Sequence, residues 1–273
     1  MHWPRTAYSA KLMADPMPDR RWTALLLAGS RPGRDAFAEA NGVALKPLIP
    51  VGGEPMITRP VRALLATPGI AAVRVLTQQI EAIASVLPID ARLTIESAEP
   101  TIATAIEAIL ADPATTFPML VTTADHALLD PAMIADFCRR AEGADLAIGV
   151  AERRALERRL PQTRRTWLAF RSGAYSGANL FAFGSPKAAR AVALWRAVEQ
   201  DRKRGWRVLA AFGPTLLLGA GLRLRTLDQS VASIGRKLGL EARAIVMTDP
   251  LAAVDVDKPA DLELVEAILE GKA

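Results

Sequence analysis

Residues 25 to 34 read LLLAGSRPGR, an apolar run that ends in a loop with two glycines and two arginines. Gly29 and Gly33 would let backbone N–H groups approach phosphate oxygens closely, because neither residue carries a side chain that blocks them. Arg31 and Arg34 would add charge-assisted hydrogen bonds to the same oxygens. The loop lacks the Gly-Lys-Ser/Thr ending of a Walker loop. It is suited to a triphosphate, and a tight exposed turn with solvated arginines fits these residues about equally well.

A lysine and a pair of glycines follow in the segment ALKPLIPVGGEPMI. Lys46 precedes a short apolar run, and Gly52 and Gly53 form a turn ahead of the next helix. The first strand, the loop, the lysine and PLIPVGGEPMI together resemble the signature of the GT-A-fold nucleotidyltransferases, particularly the MobA-like NTP transferases and the sugar-phosphate and polyol-phosphate cytidylyltransferases. The resemblance implies that the loop wraps a nucleoside triphosphate and that Lys46, with Arg31 or Arg34, neutralises its charge.

The resemblance also implies a set of nucleotide contacts in the loop, in the glycine turn and in the third predicted helix. These residues are Leu27, Ala28, Gly29, Ser30, Gly33, Gly52, Gly53 and Thr104. Ser97, Glu99 and Thr101 lie close to Thr104 in the chain and are further candidates for contacts to the base or the ribose.

Two aspartate-containing segments are similar to the metal-binding motifs of these families. TTADHALLDP resembles a strand-end motif whose aspartate binds Mg²⁺, which assigns Asp125. DVDKPADLELV resembles a segment whose aspartate completes the metal site, which assigns Asp257 first and Asp255 second. Because Mg²⁺ uses few protein carboxylates together with substrate phosphates, two aspartates are chemically sufficient. The implied cofactor is Mg²⁺, with Mn²⁺ as a substitute.

The reaction implied by the resemblance is attack by a substrate phosphate on the α-phosphorus of an NTP, with release of pyrophosphate. The nucleophile is already anionic, so catalysis would consist mainly of positioning and of neutralising charge in the transition state. This chemistry requires no protein base, and His126 is therefore expected to be a surface or helix-entry residue. CTP is the first choice of nucleotide and GTP the second, with a phosphorylated sugar, polyol or lipid-headgroup precursor as the acceptor.

Hydrophobic periodicity predicts the elements that would position these residues. Apolar runs of strand length alternate with helix-period segments through the first half of the chain, which is the pattern of a parallel sheet covered by helices. The predicted strands cover 23–28, 71–77, 91–97 and 117–125, and the predicted helices cover 55–66, 78–87 and 101–112. We therefore expect an α/β fold with a doubly wound, mostly parallel sheet of the Rossmann-like GT-A type, with the loop at the carboxyl edge.

The pattern changes after residue 150. We interpret 22–273 as one domain in which 151–225 is an inserted acceptor-side region, preceded by a flexible arm at 1–21. The arginine-rich run at the start of the insertion suits a solvated helix face or a cationic rim for an anionic acceptor. SGAYSGANLF resembles the turn and strand that line the acceptor site in the related families, which nominates Tyr175, Ser176 and Asn179, although an ordinary hairpin turn also explains them.

An uncharged stretch, VLAAFGPTLLLGAGL, covers residues 208–222 between two groups of basic residues. It is too short to span a bilayer. A helix pair packed on the sheet and a peripheral contact with an anionic membrane both fit this composition, and the packed helices fit it better.

Composition narrows the class of protein. The chain has 51% hydrophobic and 23% charged residues, which is typical of a globular protein, and its formal charge of +5 favours an anionic partner. A single cysteine, Cys138, excludes a disulfide framework or a thiolate zinc site within the chain. The first 21 residues lack the apolar core of a secretory signal, so a cytoplasmic location is expected, possible membrane contact aside.

Three other functions compete with a cytidylyltransferase. A molybdenum-cofactor guanylyl- or cytidylyltransferase is the closest, and the long arginine-rich insertion argues against it. A GT-A glycosyltransferase shares the fold, but DHALLD does not supply its DxD motif and Lys46 would have no explanation. A non-catalytic nucleotide- or RNA-binding protein is suggested only by the positive charge, and no aromatic-basic interleaving supports nucleic acid as a partner. The oligomeric state is left open.

Overall fold

The computed structural model describes residues 21–29, 34–98, 102–200 and 225–272. Nearly all of the predicted N-terminal arm and the whole uncharged stretch 208–222 lie outside the described residues. None of the helices in the described ranges combines the length and the apolar composition needed to cross a membrane.

Short strands and helices alternate along the chain. The strands are β1 (Trp22–Leu27), β2 (Pro50–Val51), β3 (Glu54–Pro55), β4 (Ile70–Thr77), β5 (Leu93–Ser97), β6 (Met119–Thr123), β7 (Leu146–Glu152), β8 (Leu168–Phe170), β9 (Gly173–Phe183) and β10 (Ala242–Val246). The α-helices are α1 (Ala36–Ala40), α2 (Thr58–Ala66), α3 (Ile80–Ala84), α4 (Ile102–Ala111), α5 (Pro131–Ala141), α6 (Arg153–Arg159), α7 (Ala189–Gln200), α8 (Leu227–Leu238) and α9 (Pro259–Leu269). Short 3-10 helices cover Lys46–Leu48, Pro186–Ala188 and Pro250–Ala253.

The main sheet has eight strands in the order β10-β7-β9-β6-β1-β4-β5, with β8 paired to β9 beside this path. Strand β1 is parallel to both β4 and β6, β4 is parallel to β5, and β7 is parallel to β10. Among the described strands, β9 is antiparallel to β6, β7 and β8. The predicted α/β fold with a mostly parallel sheet is confirmed. The chain adds β4 on one side of β1 and later β6 on the other, so the strand order reverses at β1.

Both faces of the sheet are buried, as a parallel sheet with covering helices requires. Ala24 and Leu26 of β1 pack in one core with residues of α2 and α5. Leu25 and Leu27 point to the opposite face and pack in a second core with residues of α4 and α7. The continuous apolar run TALLLA follows from this two-sided burial, which removes the alternation seen in strands that face water on one side.

Several element boundaries differ from the prediction by one to three residues, and strand pairing explains two differences. The helix predicted over 55–66 begins at Thr58, because β3 pairs with β2 just before it. Gly52 and Gly53 join these strands with φ of 60° and 82°, the left-handed values that a two-residue hairpin turn requires. The sequence predicts two short strands joined by a small-residue turn at SGAYSGA. The antiparallel pair is present as β8 and β9, but the turn is shorter than predicted, because residues 173–178 belong to β9, which hydrogen-bonds to β7 and β8. The small residues of SGAYSGA are accommodated in the sheet, because β7 and β8 lie on either side of this part of β9.

Candidate active site

The candidate site lies at the carboxyl ends of β1 and β6, where the strand order reverses. The backbone N–H of Ala124 donates to the carbonyl of Leu27 at 3.0 Å, which fixes the turn after β6 beside the loop after β1. Gly29 and Asp125 follow these two residues in the chain. A crevice at such a reversal is where open α/β sheets bind ligands.

Lys46 reaches this crevice from the 3-10 helix ahead of the β2–β3 hairpin. Pro47 is buried, and its carbonyl accepts a hydrogen bond from the N–H of Ile57 at 3.0 Å, so the start of the 3-10 helix is fixed against α2. Lys46 Nζ donates to Asp125 Oδ2 at 2.7 Å and to Asp257 Oδ1 at 2.5 Å. One lysine and two aspartates from three distant parts of the chain therefore meet at one point.

Asp257 is brought to Lys46 by the extended segment that precedes α9. Val256 is fully buried, and its N–H donates to the carbonyl of Asp125 at 3.0 Å. The N–H of Asp257 donates to the side chain of Asp261, in the first turn of α9, at 3.1 Å. These bonds fix the backbone, while the side chain of Asp257 is 62% exposed and thus open to a ligand.

The charges at this point stabilise one another. Burial would raise the pKa of Asp125, but Lys46 and the hydroxyl of Thr123, which donates to Asp125 Oδ1 at 2.5 Å, outweigh burial and keep that pKa below its usual value. Burial would likewise lower the pKa of Lys46, and the two carboxylates raise it above its usual value. Lys46 and Asp125 are therefore both charged at neutral pH.

A cavity of about 620 Å³ opens beside these side chains. The described residues that line it are Leu27, Ala28, Gly29, Arg34, Asp35, Ala36, Phe37, Lys46, Pro47, Met56, Thr123, Ala124, Asp125 and Asp257. Apolar walls with a few converging charged groups are typical of small-ligand sites. Phe37, Met56 and Thr123 line the cavity but were not predicted from the sequence. Phe37 and Met56 are ordinary apolar residues with no chemical signal, and the one available signal for Thr123 was its place in the motif TTADHALLDP.

The structure brings only some of the predicted nucleotide contacts to this cavity. Those that line it are Leu27, Ala28 and Gly29. The described ones that are not part of its lining are Gly52 and Gly53, at the tip of the β2–β3 hairpin, Ser97 at the end of β5, and Thr104 in α4. Those that lie outside the described residues are Ser30, Arg31, Gly33, Glu99 and Thr101. The nucleotide-binding role of all three groups stays a prediction.

Arg34 lines the cavity at the start of α1. Its Nε donates to Glu39 Oε1 at 2.7 Å, and its side chain is 88% exposed. Asp35 caps α1 by accepting hydrogen bonds from the backbone N–H groups of Phe37 and Ala38. Exposed ion pairs contribute little free energy, so the guanidinium can exchange Glu39 for a ligand phosphate at small cost.

Asp255 is held by two residues of the predicted acceptor-side region. Arg165 Nη2 donates to Asp255 Oδ1 at 2.6 Å, and Asn179 Nδ2 donates to Oδ2 at 3.0 Å. Burial raises the pKa of Asp255, and Arg165 opposes that shift without overcoming it. The two aspartates of the DVD segment thus have different surroundings, since Asp257 meets Lys46. No local pattern distinguishes Arg165 from the other arginines of its run, because its partner lies 90 residues away in the chain.

An irregularity in the pairing of β9 with β7 orients the side chain of Asn179 toward Asp255. The pairing of β9 with β7 shifts register between Ile148 and Val150, and Asn179 has a φ of 49°. A positive φ is uncommon for a residue with a side chain, and bulges often re-aim side chains beside functional sites. Asn179, which was nominated as an acceptor contact, therefore reaches the segment that carries Asp257.

The other two nominated acceptor contacts are buried in the sheet. Tyr175 packs against Phe170 with ring centroids 6.1 Å apart, and its hydroxyl donates to the carbonyl of Ser172 at 3.1 Å. Ser176 is buried and pairs with Ala151 of β7. Neither belongs to the described lining of the cavity, and their acceptor role stays a prediction.

His126 is buried, so the expectation of a surface residue was wrong. Its Nδ1 lies 3.4 Å from Thr122 Oγ1. Burial lowers the pKa of His126 to about 4, so the imidazole is neutral at neutral pH. The turn after β6 directs Asp125 to the crevice, and the next side chain in the turn points into the core instead.

The side chains at the crevice fit a divalent cation. Asp125 Oδ2 and Asp257 Oδ1 both lie within hydrogen-bonding distance of the Lys46 nitrogen, so two carboxylate oxygens converge on one point. Few, hard oxygen ligands match the preference of Mg²⁺, which completes its coordination with water and substrate phosphates. Within the described ranges, no group of three or more His, Cys, Asp or Glu side chains offers a metal site.

Comparison with known proteins gives one family match. Residues 24–217 match the family model described as the MobA-like NTP transferase domain. A structure described as a hypothetical transferase from Thermus thermophilus is 30% identical, with a TM-score of 0.74, and the alignment covers 89% of this chain and 99% of that one. No curated protein matches the chain.

More distant structures share the fold. A 4-diphosphocytidyl-2C-methyl-D-erythritol synthase from Anaerococcus prevotii is 10% identical, with a TM-score of 0.60, over 92% of this chain and 96% of that one. A CMP:2-keto-3-deoxy-manno-octonic acid synthetase, solved with CTP, is 14% identical, with a TM-score of 0.53, over 93% of this chain and all of that one (100%).

Proposed function

This chain belongs to the MobA-like NTP transferase family, and from that membership we propose that it transfers NMP from an NTP to a phosphorylated small molecule with release of pyrophosphate. The observation that carries the proposal is the meeting of Lys46, Asp125 and Asp257 beside a cavity of about 620 Å³ at the strand-order reversal. A cation and two hard anionic ligands at the mouth of a cavity suit a triphosphate with its metal.

In the proposed reaction, an oxygen of the acceptor phosphate forms a bond to the α-phosphorus of the NTP. The bond from that phosphorus to the bridging oxygen of the β-phosphate breaks, and pyrophosphate leaves with the electron pair. The attacking oxygen is already anionic, so no side chain needs to remove a proton. The chain's contribution is to hold both anions close together and to offset their charge.

The charged residues of the crevice and the loop after β1 have separate roles in the proposed reaction. The backbone N–H of Ala28 donates to the carbonyl of Leu76 at 2.8 Å, so Gly29 is the residue whose backbone N–H would receive the phosphates. Lys46 with Arg34 offsets their charge. Asp125 and Asp257 would hold Mg²⁺, and Lys46 and Thr123 keep Asp125 ionised. When bound, Mg²⁺ supplies positive charge that polarises the α-phosphate and offsets the charge of the departing pyrophosphate.

The proposal extends to the nucleotide and the acceptor. CTP is our first choice, supported by two structures of the same fold whose names refer to cytidine nucleotides, and GTP is the second. The acceptor is proposed to be a sugar, polyol or lipid-headgroup phosphate. It would approach from the side of Arg165 and Asn179, which contact the segment that carries Asp257.

The direct experiment measures pyrophosphate release with Mg²⁺ and each of the four NTPs against a panel of phosphorylated sugars, polyols and cofactor precursors. We expect release in one combination, with a product whose mass equals acceptor plus NMP minus water. If a product forms only with a molybdenum-cofactor precursor, the proposed reaction is correct and the proposed acceptor is wrong. Transfer of a sugar from a nucleotide sugar without pyrophosphate release would identify a glycosyltransferase and overturn the proposal.

A further inference from the structure

Lys46 occupies the space between the two proposed metal ligands. Its Nζ is 2.7 Å from Asp125 Oδ2 and 2.5 Å from Asp257 Oδ1, and the side chains of Lys46 and Asp125 are only 23% and 20% exposed. An ammonium group in this place offsets one of the two negative charges. The pair of carboxylates therefore presents a net charge of about −1 to an approaching cation, instead of −2.

A metal ion on the same two oxygens would lie close to the ammonium group. Two positive charges a few ångströms apart repel, and partly buried charges are screened less than exposed ones. Removing Lys46 from the carboxylates without a new partner would leave a partly buried ammonium unpaired, which is costly. Free metal must therefore displace Lys46 at the expense of its two hydrogen bonds.

A triphosphate changes this balance because it offers Lys46 another anionic partner. Lys46 also lines the cavity where the nucleotide is proposed to bind. Its flexible four-carbon stem allows the ammonium to turn from the carboxylates to phosphate oxygens. The ammonium then keeps its charge paired, and Asp125 and Asp257 are freed for the metal that arrives with the nucleotide.

We infer that Lys46 is the internal cation of the metal site: it holds Asp125 and Asp257 together before substrate binds, excludes free divalent metal, and moves to the triphosphate when metal and nucleotide enter together. This inference rests on the proposed function, through the assignment of the two aspartates as metal ligands. It adds an order of binding, in which the metal–nucleotide complex is the form that enters the site.

The test is Mn²⁺ binding to the nucleotide-free protein, measured by electron paramagnetic resonance at neutral pH. Lys46→Met should bind Mn²⁺ about tenfold or more tightly than the wild type, because the competing charge is gone. Lys46→Arg retains a cation and should resemble the wild type. Lys187→Met removes one positive charge from an exposed pair with Asp145 and is the matched control.

The added affinity should disappear in the double variant Lys46→Met, Asp257→Asn, since it depends on both carboxylates. Circular dichroism checks folding, and Lys46→Gln replaces the methionine variant if that one does not fold. Equal or weaker Mn²⁺ binding by the Lys46→Met or Lys46→Gln protein overturns the inference. Because no nucleotide is present, that outcome is separate from a failure of the proposed function, which the absence of pyrophosphate release by the wild type would indicate.

Discussion

The N–H of Val256 donates a hydrogen bond to the carbonyl of Asp125 at 3.0 Å, and this bond joins the two chain segments that carry the proposed metal ligands. Val256 is fully buried, so the backbone bond is protected from water. The position of Asp257 relative to Asp125 is thus set by the backbone, while its side chain, which accepts a hydrogen bond from Lys46, is 62% exposed.

The two aspartates of the DVD segment should differ in their effect on metal dependence. Asp257→Asn removes a proposed ligand and should raise the Mg²⁺ concentration for half-maximal pyrophosphate release by about 100-fold or more. Asp255→Asn removes a supporting carboxylate bound by Arg165 and Asn179 and should raise it by a smaller factor, about tenfold. Magnesium titrations of both variants check this, and an equal or larger effect of Asp255→Asn contradicts the assignment.

The ion pair of Arg165 with Asp255 should stabilise the fold. Its side chains are 13% and 18% exposed, so Arg165→Met leaves a mostly buried carboxylate without its cation. We expect the free energy of unfolding to fall by about 3 kcal/mol. The double variant with Asp255→Asn should lose less than the sum of the two single changes. Urea unfolding of all four proteins measures this coupling, and additive losses would mean that the two side chains do not interact.

His126 should make the stability depend on pH. Burial lowers its pKa to about 4 in the folded protein, while an unfolded histidine has a pKa of about 6.5. Between these values the unfolded chain binds more protons, so the free energy of unfolding falls as pH drops from about 6.5 to 4. The expected loss from this residue is about 3 kcal/mol.

The comparison that isolates this effect uses His126→Asn, whose side chain does not titrate. Urea midpoints of the wild type and the variant, measured from pH 7 to pH 4, should converge as the wild type loses stability. Parallel curves would mean that His126 is already protonated in the fold or has access to solvent.

Cys138 should be a probe of global unfolding. It is fully buried in α5, and burial raises the pKa of its thiol above the usual range. Because the thiolate is the reactive form, an aromatic disulfide reagent should not modify the native protein at pH 8 and should modify it fully in denaturant. The rate of modification in mild denaturant should follow the fraction unfolded measured by circular dichroism. Rapid modification of the native protein would show that α5 opens locally.

The sequence indicated the sheet and the charged residues of the crevice for different physical reasons. Strands buried on both faces leave continuous apolar runs such as TALLLA. The Gly52-Gly53 pair indicates a tight hairpin turn, because such a turn needs positive φ at both residues. Lys46, Asp125 and Asp257 were found through a motif resemblance. Their convergence depends on long-range pairing that no local pattern encodes.

The features that were missed depend on tertiary contacts. The small residues of SGAYSGA looked like a turn, but β7 and β8 flank them and make them part of β9. His126 was expected at the surface or at a helix entry because the implied chemistry requires no protein base, but the tertiary fold and not a catalytic role decides that it is buried. Arg165 could not be told from the other arginines of its run, because its partner Asp255 lies on a distant segment.

The most direct test of the central claim is the rate of pyrophosphate release by Asp125→Asn, with the nucleotide and acceptor that the wild type uses. Glu81→Gln, which removes an exposed carboxylate on α3, is the control for the change in charge. We expect Asp125→Asn to fold and to lose about 100-fold or more in kcat, while Glu81→Gln matches the wild type. A folded Asp125→Asn protein with a near-wild-type rate would contradict the account.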